Sequence, residues 1–321
     1  MSDADVIDAA VAADDTISFS RIGYERRRPT WDDTDLADVA GRTVIVSGGT
    51  AGVGLGASRS LAGLGAHVVM LGRSEERGQA AAREIAEATG NERVEWVHLD
   101  LASLDSVRAT AAELLERLPR SDVLINNAGG MWDTWETSVD GIEMSWATNV
   151  VGPFLLTELL LDRLAESAPA RIIEMTSGGA YSQRLTLGEL RGEEDAFDPK
   201  ATYSRTKRAQ IVLTELRARA LADRGIVAHV THPGWTDSPG LRGSGAMQGF
   251  VRRFESDFRT PEQGADTAVW LAAAREPGRT TGLFWHDRRP RETHRTDATR
   301  ETEQDRLELV RLLRERTALA G

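Results

Sequence analysis

Short apolar runs alternate with longer amphipathic segments from residue 41 to near the end of the chain. The apolar runs are rich in β-branched residues, which favours strands, while the longer segments carry apolar residues at helical spacing. The predicted strands are 43–47, 67–71, 94–99, 122–125, 171–175 and 226–230, with a seventh at 282–285. The predicted helices are 54–64, 74–88, 103–118, 138–166, 203–223 and 301–316.

This order of elements predicts an α/β fold. Largely apolar strands separated by helices form a parallel sheet, because helical crossovers return the chain to the same edge and cover both faces. We therefore expect a doubly wound parallel sheet of about seven strands. No internal repeat or linker divides residues 41–321, so we interpret them as a single domain that includes a C-terminal helix.

The first 40 residues form a separate N-terminal arm. Residues 1–15 are rich in Ala and Asp, and we predict that this part is disordered or frayed. Phe19, Tyr24 and Trp31 then surround a basic run at 26–28. In one interpretation the aromatic rings pack on the surface and the arginines stay in water. In the other, the arm is a flap near a substrate mouth or a contact between subunits.

Composition narrows the function classes. The chain has 321 residues, no cysteine and a net charge of −11, which excludes disulfides and opposes binding to nucleic acid or an anionic membrane. A local basic groove can still hold one phosphorylated ligand. The six histidines lack metal-ligand spacing, so we predict no metal site. We find no basic leader and no apolar run of membrane length, and we expect a cytoplasmic protein.

A glycine-rich turn follows the first predicted strand and precedes a predicted helix. Its sequence is Ser47-Gly48-Gly49-Thr50-Ala51-Gly52-Val53-Gly54. Such a turn lets the backbone approach a pyrophosphate, and the N-terminus of the helix then faces the negative charge. The spacing differs from the commoner Gly-x-Gly-x-x-Gly, and a plain turn stays the alternative interpretation.

The end of the second predicted strand bears on the choice of nucleotide. Sites for NAD usually place an acidic side chain here to bind the ribose hydroxyls. This chain has Gly72, which leaves room, and Arg73, which can pair with a 2′-phosphate. We therefore predict that NADP(H) is preferred and that NAD(H) is possible. Glu75 and Glu76 argue against a preference for NADP(H), since either can bind the ribose hydroxyls of NAD(H).

Tyr203 and Lys207 stand four residues apart on a predicted helix, so the phenol and the ammonium share one face. A free phenol has a pKa of about 10, too high for ready proton exchange at neutral pH. A neighbouring cation stabilises the phenolate and lowers that pKa, and Lys207 supplies the charge. Together with the glycine turn, this pair predicts a hydride-transfer enzyme with Tyr203 as acid and base.

On these residues the chain resembles the short-chain dehydrogenase/reductase family. The likeness is an ordered set that also includes Asp100-Leu101, Asn126-Asn127-Ala128-Gly129 and Pro233-Gly234 followed by Ser238. It implies a Rossmann-type fold and interconversion of a carbonyl and an alcohol with a nicotinamide nucleotide. It implies a catalytic tetrad of Asn149, Ser177, Tyr203 and Lys207. Together, the resemblance and the residues discussed above predict these cofactor-binding residues: Ser47, Gly48, Thr50, Gly52, Val53, Gly54, Arg73, Asp100, Leu101, Asn127, Ala128, Gly129, Tyr203, Lys207, Pro233, Gly234, Trp235 and Ser238.

The resemblance also assigns roles within the tetrad. Ser177 would hydrogen-bond the substrate oxygen, and Thr176 is the competing residue because the strand end can be aligned in two registers. Asn149 would help to hold a water in a proton relay to Lys207. Pro153 has no N–H, so we expect the carbonyl of Asn149 to be free for that water. A closer likeness to one subgroup of the family rests on 177–179, 232–235, 263–267 and 284–290.

Three further segments bear on the substrate. Trp132, Trp135 and Trp235 follow the motifs of the predicted site and favour an apolar or aromatic substrate, with core packing as the alternative. Residues 235–258 contain glycines and are a candidate lid. The segment 181–202 either walls the pocket or is a solvated loop, and we favour the loop slightly.

The sequence thus predicts an NADP(H)-dependent oxidoreductase that acts on a small-molecule carbonyl or alcohol, with a homo-oligomer possible. An NAD-preferring alcohol dehydrogenase is one alternative. A protein that binds NADP(H) as a sensor or scaffold without turnover is the other. The complete tetrad favours an enzyme, because a sensor has no need of the tyrosine or the lysine.

Overall fold

The computed structural model describes residues 2–319, which fold around one eight-stranded sheet. The strand order is β3-β2-β1-β4-β5-β6-β7-β8; the first seven strands are parallel, and β8 is antiparallel to β7. The order reverses between β1 and β4, where doubly wound sheets bind ligands beyond the carboxyl ends of their strands. The strands are β1 (Thr43–Ser47), β2 (His67–Gly72), β3 (Val94–His98), β4 (Val123–Asn126), β5 (Ala170–Met175), β6 (Ile226–Thr231), β7 (Phe284–His286) and β8 (Arg289–Arg291).

Helices cover both faces of the sheet, as the sequence predicts. Most of the longer helices begin at a Ser, Thr or Asp whose side chain accepts a hydrogen bond from the first turn. The α-helices in the described chain are α1 (Asp3–Ala12), α2 (Asp15–Phe19), α3 (Arg21–Arg27), α4 (Gly52–Gly63), α5 (Glu75–Thr89), α6 (Leu104–Arg117), α7 (Met144–Trp146), α8 (Gly152–Glu166), α9 (Gly188–Arg191), α10 (Pro199–Ala220), α11 (Pro239–Gly243), α12 (Gln248–Phe254), α13 (Pro261–Ala273) and α14 (Glu303–Thr317).

Alternation along the strands divides the core into two layers. On β1, Val44 and Val46 face the layer that contains α4 and α13, while Ile45 faces the layer that contains α6 and α8. All three side chains are fully buried, as a strand at the centre of a parallel sheet requires. Because the strands are parallel, their carboxyl ends lie together at one edge of the sheet, where the candidate site lies.

The predicted parallel sheet is confirmed, and the structure adds an eighth strand at its edge. Asp287 and Arg288 join β7 to β8 with φ angles of 52° and 56°. Left-handed residues at both positions of a two-residue hairpin turn match the twist of the strands. The sequence prediction missed this hairpin because the turn lacks glycine and asparagine, and because β8 is short, charged and interrupted by proline.

The helix predicted over 138–166 begins later, at Met144. Residues Ala147–Val151 then form a π-helical turn between α7 and α8. By length and composition, Met144–Glu166 is the one described helix able to cross a membrane. The sequence had led us to expect no apolar segment of that length. In the most apolar window, 72% of the residues are buried inside the protein, as in a core helix.

The arm differs from its predicted disorder. Ser2 caps α1 through a capping box with Asp5, and α2 and α3 follow, whereas Met1 lies outside the described residues. Arg27, expected in water, is 1% exposed and forms ion pairs with Asp8 and Asp287. The arm is therefore tied to the β7–β8 hairpin by buried charges, which sequence patterning cannot reveal.

Candidate active site

The glycine turn between β1 and α4 forms a cradle for an anion. Gly48 and Gly52 adopt φ angles of 65° and 50°, which side chains rarely tolerate. A Cβ on Gly54 would lie 2.2 Å from the carbonyl oxygen of Gly48, so the close approach of turn and helix requires glycine. The N-terminus of α4 has no side-chain cap, unlike those of α5, α6, α10 and α13. Its free N–H groups suit a pyrophosphate.

Ser47 and Asn127 brace this turn from below. The Ser47 hydroxyl accepts hydrogen bonds from the backbone N–H groups of Asn127 and Ala128 at 3.0 and 3.1 Å. In return, the amide of Asn127 donates to the carbonyl of Ser47 at 2.9 Å. Ser47, which we predicted to contact the cofactor, is therefore buried beneath the turn. Its hydrogen bonds join the turn after β1 to the turn after β4.

The end of β2 presents the residues predicted to select the nucleotide. Arg73 is exposed and forms no hydrogen bond or ion pair with any residue of the described chain, so its guanidinium is available to a ligand. We expected Gly72 to leave room for the nucleotide, but Thr50 fills the space beside it, since a Cβ on Gly72 would lie only 3.2 Å from the Thr50 Oγ1. Glu75 accepts a hydrogen bond from Gln79 on its own helix.

Two further cofactor candidates follow β3. One carboxylate oxygen of Asp100 accepts the N–H of Ala102 at 3.0 Å and thereby shapes the turn. Leu101 is buried, and its carbonyl approaches Gly152 so closely that a Cβ there would lie 2.4 Å away. Both residues lie at the carboxyl edge of the sheet, where β3 borders β2, the strand that Arg73 follows.

Tyr203, Lys207 and Ser177 meet at the carboxyl end of β5. Tyr203 and Lys207 lie one turn apart on α10, with the Lys207 ammonium 5.6 Å from the centre of the phenol ring. Ser177, which follows β5, lies close enough to Tyr203 to lower the pKa of its phenol. The hydroxyl of Thr176 instead donates to the carbonyl of Lys207 at 2.7 Å, so the geometry favours Ser177 over its competitor.

Burial controls the proton affinities of this pair. Loss of water around the phenol raises the pKa of Tyr203 above its ordinary value of 10.0, and the neighbouring Ser177 hydroxyl opposes that effect. Burial lowers the pKa of Lys207 to about 8, opposed by the carboxylate of Glu174. We expected Lys207 to lower the pKa of Tyr203. In the free protein burial dominates, and the phenol is protonated at neutral pH.

Asn149 occupies the π-helical turn and faces the same centre. Its side-chain oxygen accepts the N–H of Gly130 at 2.8 Å, and its amide donates to Thr206 on α10 at 2.9 Å. As expected, Pro153 supplies no N–H to the backbone carbonyl of Asn149. That carbonyl is nevertheless not free, because the side chain of Gln210 donates to it at 2.9 Å.

The segment after β6 lies over the glycine turn. Gly234 has a φ of 71° and begins a path that brings Ser238 against Gly52, where a Cβ would lie 3.2 Å from that of Ser238. Trp235 packs on Phe250 and Phe254 of α12, with ring centres 5.1 and 4.6 Å apart. We call residues 235–258 the lid.

The lid is tied to the loop after β4 by one carboxylate. Asp133 accepts hydrogen bonds from the hydroxyl of Ser244 and from the N–H groups of Gly245 and Ala246, at 3.0, 2.6 and 3.0 Å. These three bonds lower the pKa of Asp133, so the carboxylate stays ionised and able to accept. The loop that carries Trp132 and Trp135 is thus joined directly to the lid.

Phe19 of the arm reaches the site. Its carbonyl accepts the N–H of Trp235 at 2.7 Å, and its ring lies against His232 with centres 4.6 Å apart. A Cβ on Gly178 would lie 2.9 Å from the Phe19 ring, next in sequence to Ser177. Of the two interpretations of the arm, this placement favours the one at the substrate mouth.

The segment between Ser177 and Tyr203 is more than the solvated loop that we favoured. Leu185, Leu187 and Leu190 are buried in the core cluster that contains Trp146. Residues 193–195 are exposed, but Phe197 packs edge-on against Trp135 at 5.9 Å. The segment therefore connects the core to the wall of the site.

Sequence reasoning missed two residues of the site, Gln210 and Asp133, and left open whether Phe19 packs on the surface or near the substrate mouth. Gln210 had a signal, since it stands three residues after Lys207 and therefore shares its helix face. Asp133 and Phe19 reach the site through contacts with residues more than 100 positions away, for which the sequence holds no local signal.

Comparison with known proteins identifies the family to which this site belongs. A family model described as short chain dehydrogenase matches residues 42–249, which carry the glycine turn and all four tetrad residues. The chain belongs to the short-chain dehydrogenase family. This short-chain dehydrogenase is an oxidoreductase that acts on CH–OH or C=O groups with a nicotinamide cofactor. Its predicted family and fold class are confirmed.

Two curated relatives and one solved structure illustrate the likeness. The short-chain dehydrogenase is 35% identical over 306 residues to dehydrogenase/reductase SDR family member 12 of Bos taurus, covering 93% of this chain and 94% of the relative. It is 36% identical over 239 residues to retinol dehydrogenase 11 of Mus musculus, covering 74% and 75%. It resembles the RhlG/NADP active-site complex of Pseudomonas aeruginosa, with a TM-score of 0.65, 26% identity and coverage of 78% and 96%.

Proposed function

We propose that this short-chain dehydrogenase reduces an apolar carbonyl compound with NADPH, and that Tyr203 is the proton donor. The observation that carries the proposal is the meeting of Tyr203, Ser177 and Lys207 at the carboxyl end of β5. The uncapped N-terminus of α4, the glycine turn and the unpaired Arg73 suit a nucleotide with a 2′-phosphate. When bound, the nicotinamide supplies the hydride.

Three side chains have separate roles in the proposed reaction. Ser177 donates a hydrogen bond to the substrate oxygen and holds it near the phenol. Tyr203 gives its proton to that oxygen, and its raised pKa suits this direction because the phenol is protonated at neutral pH. Lys207 stabilises the phenolate that remains, through its positive charge one turn away.

The walls of the site favour an apolar substrate. Trp235, Phe250 and Phe254 form an aromatic cluster in the lid, and Trp135 with Phe197 lines the opposite loop. Aromatic walls with few polar groups bind apolar ligands and orient them through those polar groups. The relative named retinol dehydrogenase 11 is consistent with this substrate class.

Cofactor preference tests the nucleotide part of the proposal. With a panel of ketones and aldehydes, kcat/KM should be higher for NADPH than for NADH. Arg73→Ala should lower kcat/KM with NADPH by about tenfold to a hundredfold, since a hydrogen-bonded charge pair is lost, and should change it little with NADH. Steady-state kinetics with both nucleotides measure the effect.

Arg83→Ala is the matched control, because this exposed arginine lies on α5, the helix that follows Arg73. It should leave both values near those of the unmodified enzyme. A preference for NADH would contradict the assignment of Arg73 and would point instead to Glu75 or Glu76 as the ribose ligand.

The bonds of Asp133 predict how the lid behaves. Asp133→Ala removes the carboxylate that accepts three hydrogen bonds from residues 244–246, so the lid should open more readily. We expect KM for the carbonyl substrate to rise about threefold to tenfold, and proteolysis within the lid to become faster. Kinetics and limited proteolysis measure these effects.

Asp237→Ala is the control for this lid variant, since its carboxylate pairs with Arg242 inside the lid and does not reach the opposite loop. Equal proteolysis rates in the two variants would show that the contact across the site does not hold the lid.

A further inference from the structure

Gln210 connects two members of the tetrad. It lies on α10 three residues after Lys207 and is 2% exposed. Its side-chain oxygen accepts a hydrogen bond from the Lys207 ammonium at 3.1 Å, and its side-chain nitrogen donates to the backbone carbonyl of Asn149 at 2.9 Å. The orientation of the amide is fixed by its partners, because an ammonium only donates and a carbonyl only accepts.

The Asn149 carbonyl needs this donor. It lies in the π-helical turn, and the residue four positions later is Pro153, which has no N–H. A buried carbonyl without a partner is costly, and water or a side chain must satisfy it. Here a side chain of the chain itself does so, at the position where the family resemblance leads one to expect a water.

The contact with Gln210 also restricts the directions in which the Lys207 ammonium can donate hydrogen bonds. An ammonium has three N–H groups, and two of them are directed to the carbonyl of Met175, at 2.9 Å, and to Gln210. A Cβ on Gly129 would lie 3.3 Å from the Lys207 nitrogen, which places the remaining side of the ammonium at the turn after β4. Gln210 and Met175 therefore occupy two of the three N–H groups and leave one for a ligand or for Tyr203.

We infer that Gln210 is a positioning residue that orients Lys207 and sets its proton affinity by linking the ammonium to the Asn149 carbonyl. The catalytic consequence rests on the proposed function, whereas the effect on Lys207 does not. Two titratable groups otherwise face the ammonium within the described chain: Tyr203 on the same helix and Glu174 on β5. Neither contacts Gln210 through a hydrogen bond.

The composition of the chain makes Lys207 directly observable. The sequence has only two lysines, Lys200 and Lys207, and Lys200 is exposed. Lysine labelled with ¹³C at the ε position therefore gives two signals by NMR, with Lys200 as an internal reference. A pH titration of the complete protein without nucleotide reads the pKa of Lys207 independently of any reaction.

Two substitutions change the contact in opposite ways. Gln210→Leu keeps a similar volume and removes both hydrogen bonds, so the charged ammonium loses a partner and the pKa of Lys207 should fall by about one pH unit. Gln210→Glu keeps an acceptor and adds a negative charge, so the pKa should rise by about one pH unit. In assays of carbonyl reduction, Gln210→Leu should lower kcat about tenfold and leave KM for NADPH nearly unchanged.

Thr214→Val is the matched control. Thr214 is buried one turn further along α10 and hydrogen-bonds the backbone of Gln210, but it does not contact Lys207. This variant should leave the Lys207 titration unmoved, although its melting temperature can change. Melting curves of all three variants show which of them fold.

The outcomes separate the two proposals. If Gln210→Leu and Gln210→Glu fold and titrate Lys207 as the unmodified protein does, Gln210 is only a packing residue and the inference is wrong. Opposite shifts of the titration support it. If the unmodified protein reduces no carbonyl compound while those shifts are present, the proposed function fails and the positioning role of Gln210 stands.

Discussion

Tyr203→Phe should lower kcat for carbonyl reduction by about a thousandfold or more, because the substitution removes the hydroxyl group that gives its proton to the substrate oxygen. The ring stays in place, so packing against α10 and Lys207 is kept. We expect the affinity for NADPH, measured by fluorescence titration, to change by less than about threefold, since the phenol oxygen adds one hydrogen bond at most. Single-turnover kinetics with saturating NADPH measure the loss of chemistry directly.

Tyr181→Phe is the matched control for this loss. The hydroxyl of Tyr181 donates to the carbonyl of Glu292, outside the tetrad, and burial raises its pKa to about 12. Its removal should leave kcat close to that of the unmodified enzyme. Retention of the full rate by Tyr203→Phe would overturn the assignment of Tyr203 as proton donor.

Asp287→Ala should be the most destabilising single substitution considered for this protein. Asp287 is 1% exposed and accepts hydrogen bonds from Arg27 at 2.8 Å and from Arg259 at 2.6 and 2.9 Å. Its removal leaves two buried guanidinium groups, each 1% exposed, without their shared carboxylate. We expect the free energy of unfolding to fall by about 3–5 kcal/mol, measured by urea denaturation.

Asp297→Ala is the corresponding surface control. Its carboxylate pairs with Arg300, but its side chain is 93% exposed, and such pairs contribute at most about 1 kcal/mol. If Asp287→Ala costs no more than this control, the buried ion cluster does not hold the arm to the hairpin.

The charge of Asp287 also predicts how the stability of the protein changes at acidic pH. The guanidinium of Arg259 and the neighbouring His286 and Arg27 hold the pKa of this carboxyl well below its ordinary value of 3.8, despite its burial. A carboxyl with a depressed folded-state pKa stabilises the protein fully above its unfolded-state pKa and progressively less below it. We therefore expect this contribution to be present above about pH 4 and to be lost as the pH falls further. Asp287→Asn should lack that component of acid sensitivity.

Local patterns predicted most elements of the fold, and their failures have definite causes. The strand at 43–47 was predicted because a run of β-branched residues between turn signals has few other solutions. The helix of the first residues was missed because Ala and Asp also favour disorder, and its stability comes from the pairing of Asp8 with Arg27 and Arg291. The β7–β8 hairpin was missed because its left-handed residues are stabilised by distant charges.

Within the site, the sequence predicted residues whose chemistry is unusual and whose spacing is short. Tyr203 with Lys207 could be paired because one helical turn separates them, and the same rule would have found Gln210. It could not predict that Gln210, rather than a water, satisfies the Asn149 carbonyl, because 61 residues separate the two groups. Nor could it predict the burial that raises the pKa of Tyr203.

By itself, the sequence determined the α/β architecture, the glycine turn after the first strand and the pairing of Tyr203 with Lys207 on one helix. These features follow from periodicity and from chemistry within a few residues. Only the tertiary structure decided that Asp133 hydrogen-bonds residues 244–246, that Phe19 packs beside Gly178 and that Ser177 rather than Thr176 lies near the phenol. The physical reason is that each of these choices depends on which groups lose contact with water when distant segments pack together, and a linear pattern does not record that loss.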